Sequence, residues 1–132
     1  MPLSPALSPE GEREACRFSG YAAVFDCPDR GGDVVRRGAF AGAGAVPLLW
    51  EHGAIVGRIE AVAEDGRGLR VAGVVEDARA AALVAAGALT GLSFGYRARA
   101  VRHGVYRELL AVELVEVSLV AQPMQRLARV DA

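Results

Sequence analysis

The sequence predicts a mostly β domain with one or two helices, an α+β chain folded as a small curled antiparallel sheet or barrel. Three observations carry that expectation. Short apolar stretches of strand character recur along the chain. Turns rich in Gly, Pro and Asp separate them, and only one segment has the composition and end signals of a confident helix. The chain has 132 residues and no internal repeat, the size of one domain. Such a chain can bury roughly two-thirds of its unfolded surface, enough for a core without staples.

Each element follows from local chemistry. Residues 1–16 carry three prolines and several charges without periodicity, and read as a flexible tail. The folded domain is expected over 17–125, with 126–132 as a short C-terminal tail. "RFSGYAAVFD" (17–26) reads as the first strand. "CPDRGGDVVRRGAF" (27–40) is dense in Pro, Gly and Asp and reads as a long loop. "VPLLWEHG" (46–53) reads as a buried strand ending in a polar patch. "IVGRIEAVAED" (55–65) alternates imperfectly, "EDGRG" supplies a hairpin turn, and "LRVAGVVE" (69–76) resumes the strand. "DARAAALVAAGAL" (77–89) is the helix, with Asp77 as N-cap, an Ala-rich interior and Gly87 near its end. "GLSFGYRARAV" then alternates as a strand, "RHG" turns the chain, and "VYRELLAVELVEVSLVAQP" (105–123) forms one long strand or two.

Composition excludes several function classes. The formal net charge is -1 with charges scattered, so the basic stripe of a nucleic-acid binder is absent. No apolar run approaches the roughly 18 residues of a membrane span. The N-terminus lacks the basic and apolar regions of a signal peptide, so the default compartment is cytosolic. Cys16 and Cys27 are the only cysteines and stand apart from any metal-ligand spacing. Cys27 is either a nucleophile or, more commonly for such a thiol, a small apolar filler. All 15 basic residues are Arg, a composition that suits a GC-rich genome.

Few residues remain to carry chemistry. His52 ends an apolar run at the mouth of a loop, where a side chain is anchored yet reachable; the bland alternative is a surface histidine. Ser93 lies between Gly91 and Gly95 in a strand-like stretch. Glycine weakens a strand interior unless a bulge or close approach needs it. The two glycines are expected to leave room for a substrate backbone, with nearby amides facing a developing oxyanion. The spacing imitates a G-x-S-x-G elbow, but here the helix precedes the serine instead of following it. Glu113 and Glu116 interrupt a very apolar strand, and an offset of three puts them on opposite faces. One of them then faces inward and needs a partner, unless both lie on an exposed edge. A serine, a histidine and an acid can form a nucleophile, base and orienting group in any chain order.

Four ordered blocks over residues 18–124 resemble the prohead (capsid maturation) proteases of tailed bacteriophages, serine peptidases related in fold to the herpesvirus assemblins. "FSGYAAVFDCPDRGGDVVRRGAF" resembles the opening strand and loop, and "VPLLWEHGAIVGRIEAV" the block of the catalytic histidine. "ALTGLSFGYRA" resembles the nucleophile block and "LLAVELVEVSLVAQPM" the closing block, which here continues Pro123-Met124-Gln125 where the family often reads P-A-N. The resemblance implies His52 as general base, Ser93 as nucleophile and Glu116 as the third member. His103 is the other candidate for that place, because the assemblins use a second histidine. It implies Arg58, Arg97, Gly91 and Gly95 as substrate or oxyanion contacts. It further implies no cofactor and no metal. The implied substrates are the major capsid protein, scaffold segments and the chain itself, and the implied setting is an assembling prohead in the bacterial host cytoplasm. A homodimer is expected by analogy, and partners among nucleic acids or membranes are not. The source would be a phage, a prophage or a gene transfer agent. An inactive scaffold or capsid-binding module of the same fold is the alternative.

Overall fold

The long strand at the end of the sequence organises the molecule. The structure, a computed structural model, describes residues 15–131. Its elements are β1 (Cys16–Val24), β2 (Asp33–Val35), β3 (Val46–Trp50), β4 (Ile55–Glu64), β5 (Gly68–Val75), α1 (Ala78–Ala85), β6 (Gly91–His103) and β7 (Arg107–Val120). The run 105–123 is therefore one strand, bulged against β6 in three places rather than broken. One curled sheet contains all seven strands, in the order β1-β5-β4-β3-β7-β2, with β6 on β7 as well.

Most pairings are antiparallel, as expected, but β7 accepts two parallel partners. The β2 strand lies beside Arg107–Leu109 and β3 beside Val117–Leu119. The opposite edge of β7 pairs with β6 throughout. Strand β2 corrects the expectation of an unbroken loop over 27–40. Its Val34 and Val35 are buried, and three residues are too few to show a period in sequence.

The core forms within the curl of the sheet. Leu48, Ile59, Leu69, Leu92, Leu109, Leu119, Val71, Val75 and Val117 are almost completely buried. Each large side chain of this kind contributes about 1.5–3 kcal/mol relative to exposure. Helix α1 closes one side. Asp77 accepts from Ala80 N–H at 2.9 Å, as its capping position predicts. The helix turns the small residues Ala80 and Ala81 inward, so it approaches the sheet closely.

The last residues belong to this architecture. Leu92 N–H donates to the Ala128 carbonyl and Tyr21 N–H to that of Arg129. Val130 bridges Gly20 and Arg129 bridges Gly91, so residues 128–131 link the free edges of β6 and β1. Of the expected N-terminal tail, residues 1–14 lie outside the described residues. Among the described residues, no helix is long and apolar enough to cross a membrane.

Candidate active site

Three adjacent strands bring the candidate residues together. Strand β7 carries Glu116 and Ser118 on one face. Its neighbour β6 sets Ser93 opposite Ser118 and Gly95 opposite Glu116. Register partners in an antiparallel pair point to the same face. On the other side of β7, parallel β3 ends at Trp50, beside Leu119, and hands the chain to His52.

The turn that delivers His52 is strained. Glu51 and His52 both adopt left-handed backbone, with φ of 50° and 59°, and Gly53 N–H closes the turn onto the Trp50 carbonyl at 2.8 Å. Such angles cost side-chain-bearing residues of order 1–3 kcal/mol each and persist only where the surroundings enforce them. Strand β7 does so here. Glu51 N–H donates to the Leu119 carbonyl at 2.9 Å, His52 N–H donates to Ser118 Oγ at 3.0 Å, and the Glu51 carboxylate accepts Ala121 N–H at 2.9 Å. From helix α1, Arg79 covers the Trp50 ring at 5.7 Å.

The result is an imidazole held at one nitrogen. His52 Nδ1 lies 2.5 Å from Glu116 Oε2. The imidazole is 46% exposed while the carboxylate is only 11% exposed, so a half-open ring rests on a buried acid. Ser118 Oγ donates to Glu116 Oε1 at 2.9 Å and lies 3.3 Å from His52 Nδ1. A carboxylate acceptor on Nδ1–H leaves Nε2 with its lone pair directed outward.

Ser93 is buried on the same face but forms no side-chain hydrogen bond among the described residues. It lines a small cavity with Phe94, Tyr96, Met124, Gln125 and Asp33. The walls are firmly held. Phe94 packs edge-on against Phe40 at 5.2 Å and beside Tyr96 at 5.1 Å. Gln125 is buried and bonds both the N–H and the carbonyl of Val24 at 2.8 Å, an anchoring role the sequence did not signal. The Arg107 guanidinium grips Asp33 and lowers its carboxyl below the ordinary range.

The clearance beside the two glycines is taken up within the protein. A Cβ on Gly95 would stand 2.4 Å from Glu116 Oε2, and one on Gly91 would stand 2.5 Å from the Val120 carbonyl and 2.8 Å from the Pro123 ring. The space they free is filled by the protein itself. Gly95 makes room for the Glu116 carboxylate, and Gly91 for the chain reversal after β7.

Other candidates are placed elsewhere. His103 ends β6 ten residues beyond Ser93, roughly 33 Å away at the rise of a strand. Arg58 is held by Glu76 and Glu60. Arg97 is largely exposed on β6, with Glu113 at 3.9 Å as a loose partner. Glu113 pairs with Arg99, whereas Glu116 is buried. The bulge at Val115 between them puts both acids on one face, opposite Arg97 and Gly95, so the expected opposite-face split does not hold. Ser118 escaped the sequence reading, because a serine in an apolar strand carries no signal until its neighbours across the sheet are known.

Comparison with known proteins fits this geometry. A family model described as the caudovirus prohead serine protease matches residues 5–132. No protein of curated function matches the sequence. Among solved structures, the KSHV protease in complex with a hexapeptide phosphonate inhibitor superposes with a TM-score of 0.62 at 15% identity, covering 88% of this chain and 64% of that one. The varicella-zoster virus protease superposes with a TM-score of 0.60 at 16% identity, covering 89% and 63%. At such identities the likeness is one of fold, and the chain spans just under two-thirds of each viral protease.

Proposed function

The chain belongs to the caudovirus prohead serine protease family, and from that premise we propose that it is a capsid-maturation endopeptidase. In this reading Ser93 is the nucleophile, His52 the general base and Glu116 the group that orients the base. The observation that carries it is the 2.5 Å contact between His52 Nδ1 and Glu116 Oε2. Donation from Nδ1–H to that carboxylate supports the tautomer with Nε2 unprotonated, the form a base requires.

The chemistry follows in two halves. Nε2 of His52 takes the Ser93 hydroxyl proton as Oγ bonds to the scissile carbonyl carbon. The tetrahedral oxyanion collapses, the C–N bond breaks, and the leaving amine receives the proton from His52. Water then attacks the acyl ester with His52 again as base. The acid product leaves and Ser93 regains its proton. Glu116 stabilises the imidazolium in both halves.

Two features support the pairing of Ser93 with His52. Ser93 sits one strand spacing, about 5 Å, from Ser118, which itself touches His52. Contacts between nucleophile and base are commonly loose in the free enzyme and tighten on substrate. Arg97, four residues beyond Ser93 and loosely held, is the arginine we assign to substrate contact; Arg58 is committed to its carboxylates. The substrates proposed are capsid protein and scaffold segments, cut within the assembling prohead in the host cell.

Co-expression with a major capsid protein from the same source tests the reading. Mass spectrometry of the capsid protein should show shortening by the wild type. Ser93→Ala and His52→Ala should each reduce the cleavage rate by about 10⁴-fold or more. Both variants should keep the wild-type circular dichroism. Shortening that persists unchanged with Ser93→Ala would exclude the assignment. An intact capsid protein with the wild type would favour an assembly module of the same fold.

A further inference from the structure

We propose that Ser118 is a positioning residue of this site, holding His52 and Glu116 in their working arrangement through its single hydroxyl. The inference rests on the assignment of His52 and Glu116 above and extends it to a group the sequence did not single out.

Ser118 is completely buried, and its hydroxyl both donates and accepts. A serine hydroxyl has one proton and two lone pairs. The proton goes to Glu116 Oε1 at 2.9 Å. The oxygen accepts His52 backbone N–H at 3.0 Å and lies 3.3 Å from Nδ1 of the same residue. One side chain thus ties the carboxylate, the ring and the left-handed backbone that presents the ring. Without the hydroxyl, the His52 N–H loses its partner at a residue already strained to a φ of 59°. Glu116 Oε1 loses its donor, and the carboxylate is free to swing about its remaining contact.

The same geometry rules Ser118 out as the attacking group. Its proton is committed to a carboxylate, and its oxygen is enclosed between β3 and β6 with no exposed surface. Ser93, its partner across the ladder, has no such commitment of its hydroxyl among the described residues. Two serines thus stand side by side on neighbouring strands, and the one beneath the base already has its proton committed to Glu116.

The test uses the full chain with Ser118→Ala and Ser118→Cys. Cysteine fills the serine volume but is a weak donor, so it separates packing from hydrogen bonding. Both variants should lower kcat on the order of 10²-fold, the cost of a misplaced catalytic group, with KM unchanged. In proton NMR spectra the Nδ1–H signal of His52, assigned by its loss in His52→Ala, should lie far downfield in the wild type. It should move upfield or broaden by exchange in both variants. Wild-type turnover in Ser118→Cys would overturn the proposal in favour of packing, as would an unmoved Nδ1–H signal in either variant. If Ser118→Ala does not fold, Ser118→Cys decides alone. Failure of the peptidase assignment is distinguishable: the wild type would then cleave nothing, while the Nδ1–H signal would still report whether Ser118 holds the histidine.

Discussion

The two ends of β7 use one device for different ends. At each, a short parallel strand lies along β7 and its neighbourhood brings a charged group to a carboxylate. At the N-terminal end β2 sets Asp33 beside Arg107, which grips it through two hydrogen bonds of 2.9 and 2.8 Å. Next to it Glu108 is held by Arg36 and Arg102 together. At the C-terminal end β3 sets His52 beside Glu116, whose second oxygen takes a hydroxyl. Among the described residues no arginine pairs with Glu116. An acid between guanidiniums is locked, because neither partner changes charge in the working range. An acid between an imidazole and a hydroxyl can hold a ring that gains and loses a proton. The fold therefore repeats, and the choice of partner separates a fastening from a site.

The strongest way to break this comparison is Glu116→Gln. A glutamine keeps the shape but can present an NH₂ to Nδ1 and favour the tautomer with Nε2 protonated. Cleavage of the capsid protein should fall on the order of 10⁴-fold, as expected when the orienting acid becomes an amide. The thermal transition should move little. A large drop in melting temperature with activity retained would place Glu116 with Glu108, as a fastening.

Gly95→Ala should have the next largest effect, and an uneven one. Its Cβ would meet the Glu116 side chain first, and the carboxylate end of that side chain can move away. Stability should therefore fall by about 1 kcal/mol, while activity should fall on the order of 10²-fold as the carboxylate leaves His52. Gly91→Ala meets the Val120 carbonyl and the Pro123 ring, which cannot move away so easily. Its cost should appear in stability, at about 1–3 kcal/mol. Urea unfolding beside initial cleavage rates would separate the two, and a Gly95→Ala protein that is fully active would show that Glu116 need not sit where it does.

These variants also mark how far the sequence could be read. The strands and the helix were legible because apolar runs, an Asp cap and Gly-rich turns act locally; Asp77 accepts from Ala80 N–H as its position implies. The expected split of Glu113 and Glu116 onto opposite faces did not hold, because the bulge at Val115 shifts the register between them. The parallel pairings were not legible, since nothing in "DVV" or "VPLLW" states that β7 lies beside both. Nor was the turn at Glu51 and His52, which lacks the Gly or Asn that left-handed backbone usually recruits and relies on hydrogen bonds from β7 instead. Gly95 stands out in the sequence, but what fills the space beside it lies across the ladder at Glu116, which the sequence does not state. The C-terminal residues 128–131 carried no strand period, yet they join β6 to β1 through backbone bonds that any sequence could make.

The smallest expected effect belongs to the fastening end and is a matter of pH. The Arg102 guanidinium, with that of Arg36, holds the Glu108 carboxyl down to about 2, against an ordinary value of 4.5. The folded state thus favours the charged form more than the unfolded state does. The stabilisation is fully present above 4.5 and is lost as the pH falls from 4.5 toward about 2. Glu108→Gln removes this contribution at every pH. Its urea midpoint should lie below that of the wild type near neutrality, and the gap should narrow as the pH falls through that window. Cleavage should be unaffected, since Glu108 lies some eight residues along β7 from Glu116, roughly 27 Å at the strand rise. A Glu108→Gln protein that keeps its stability but loses cleavage would mean the two ends of β7 are coupled, and the separation of fastening from site would fail.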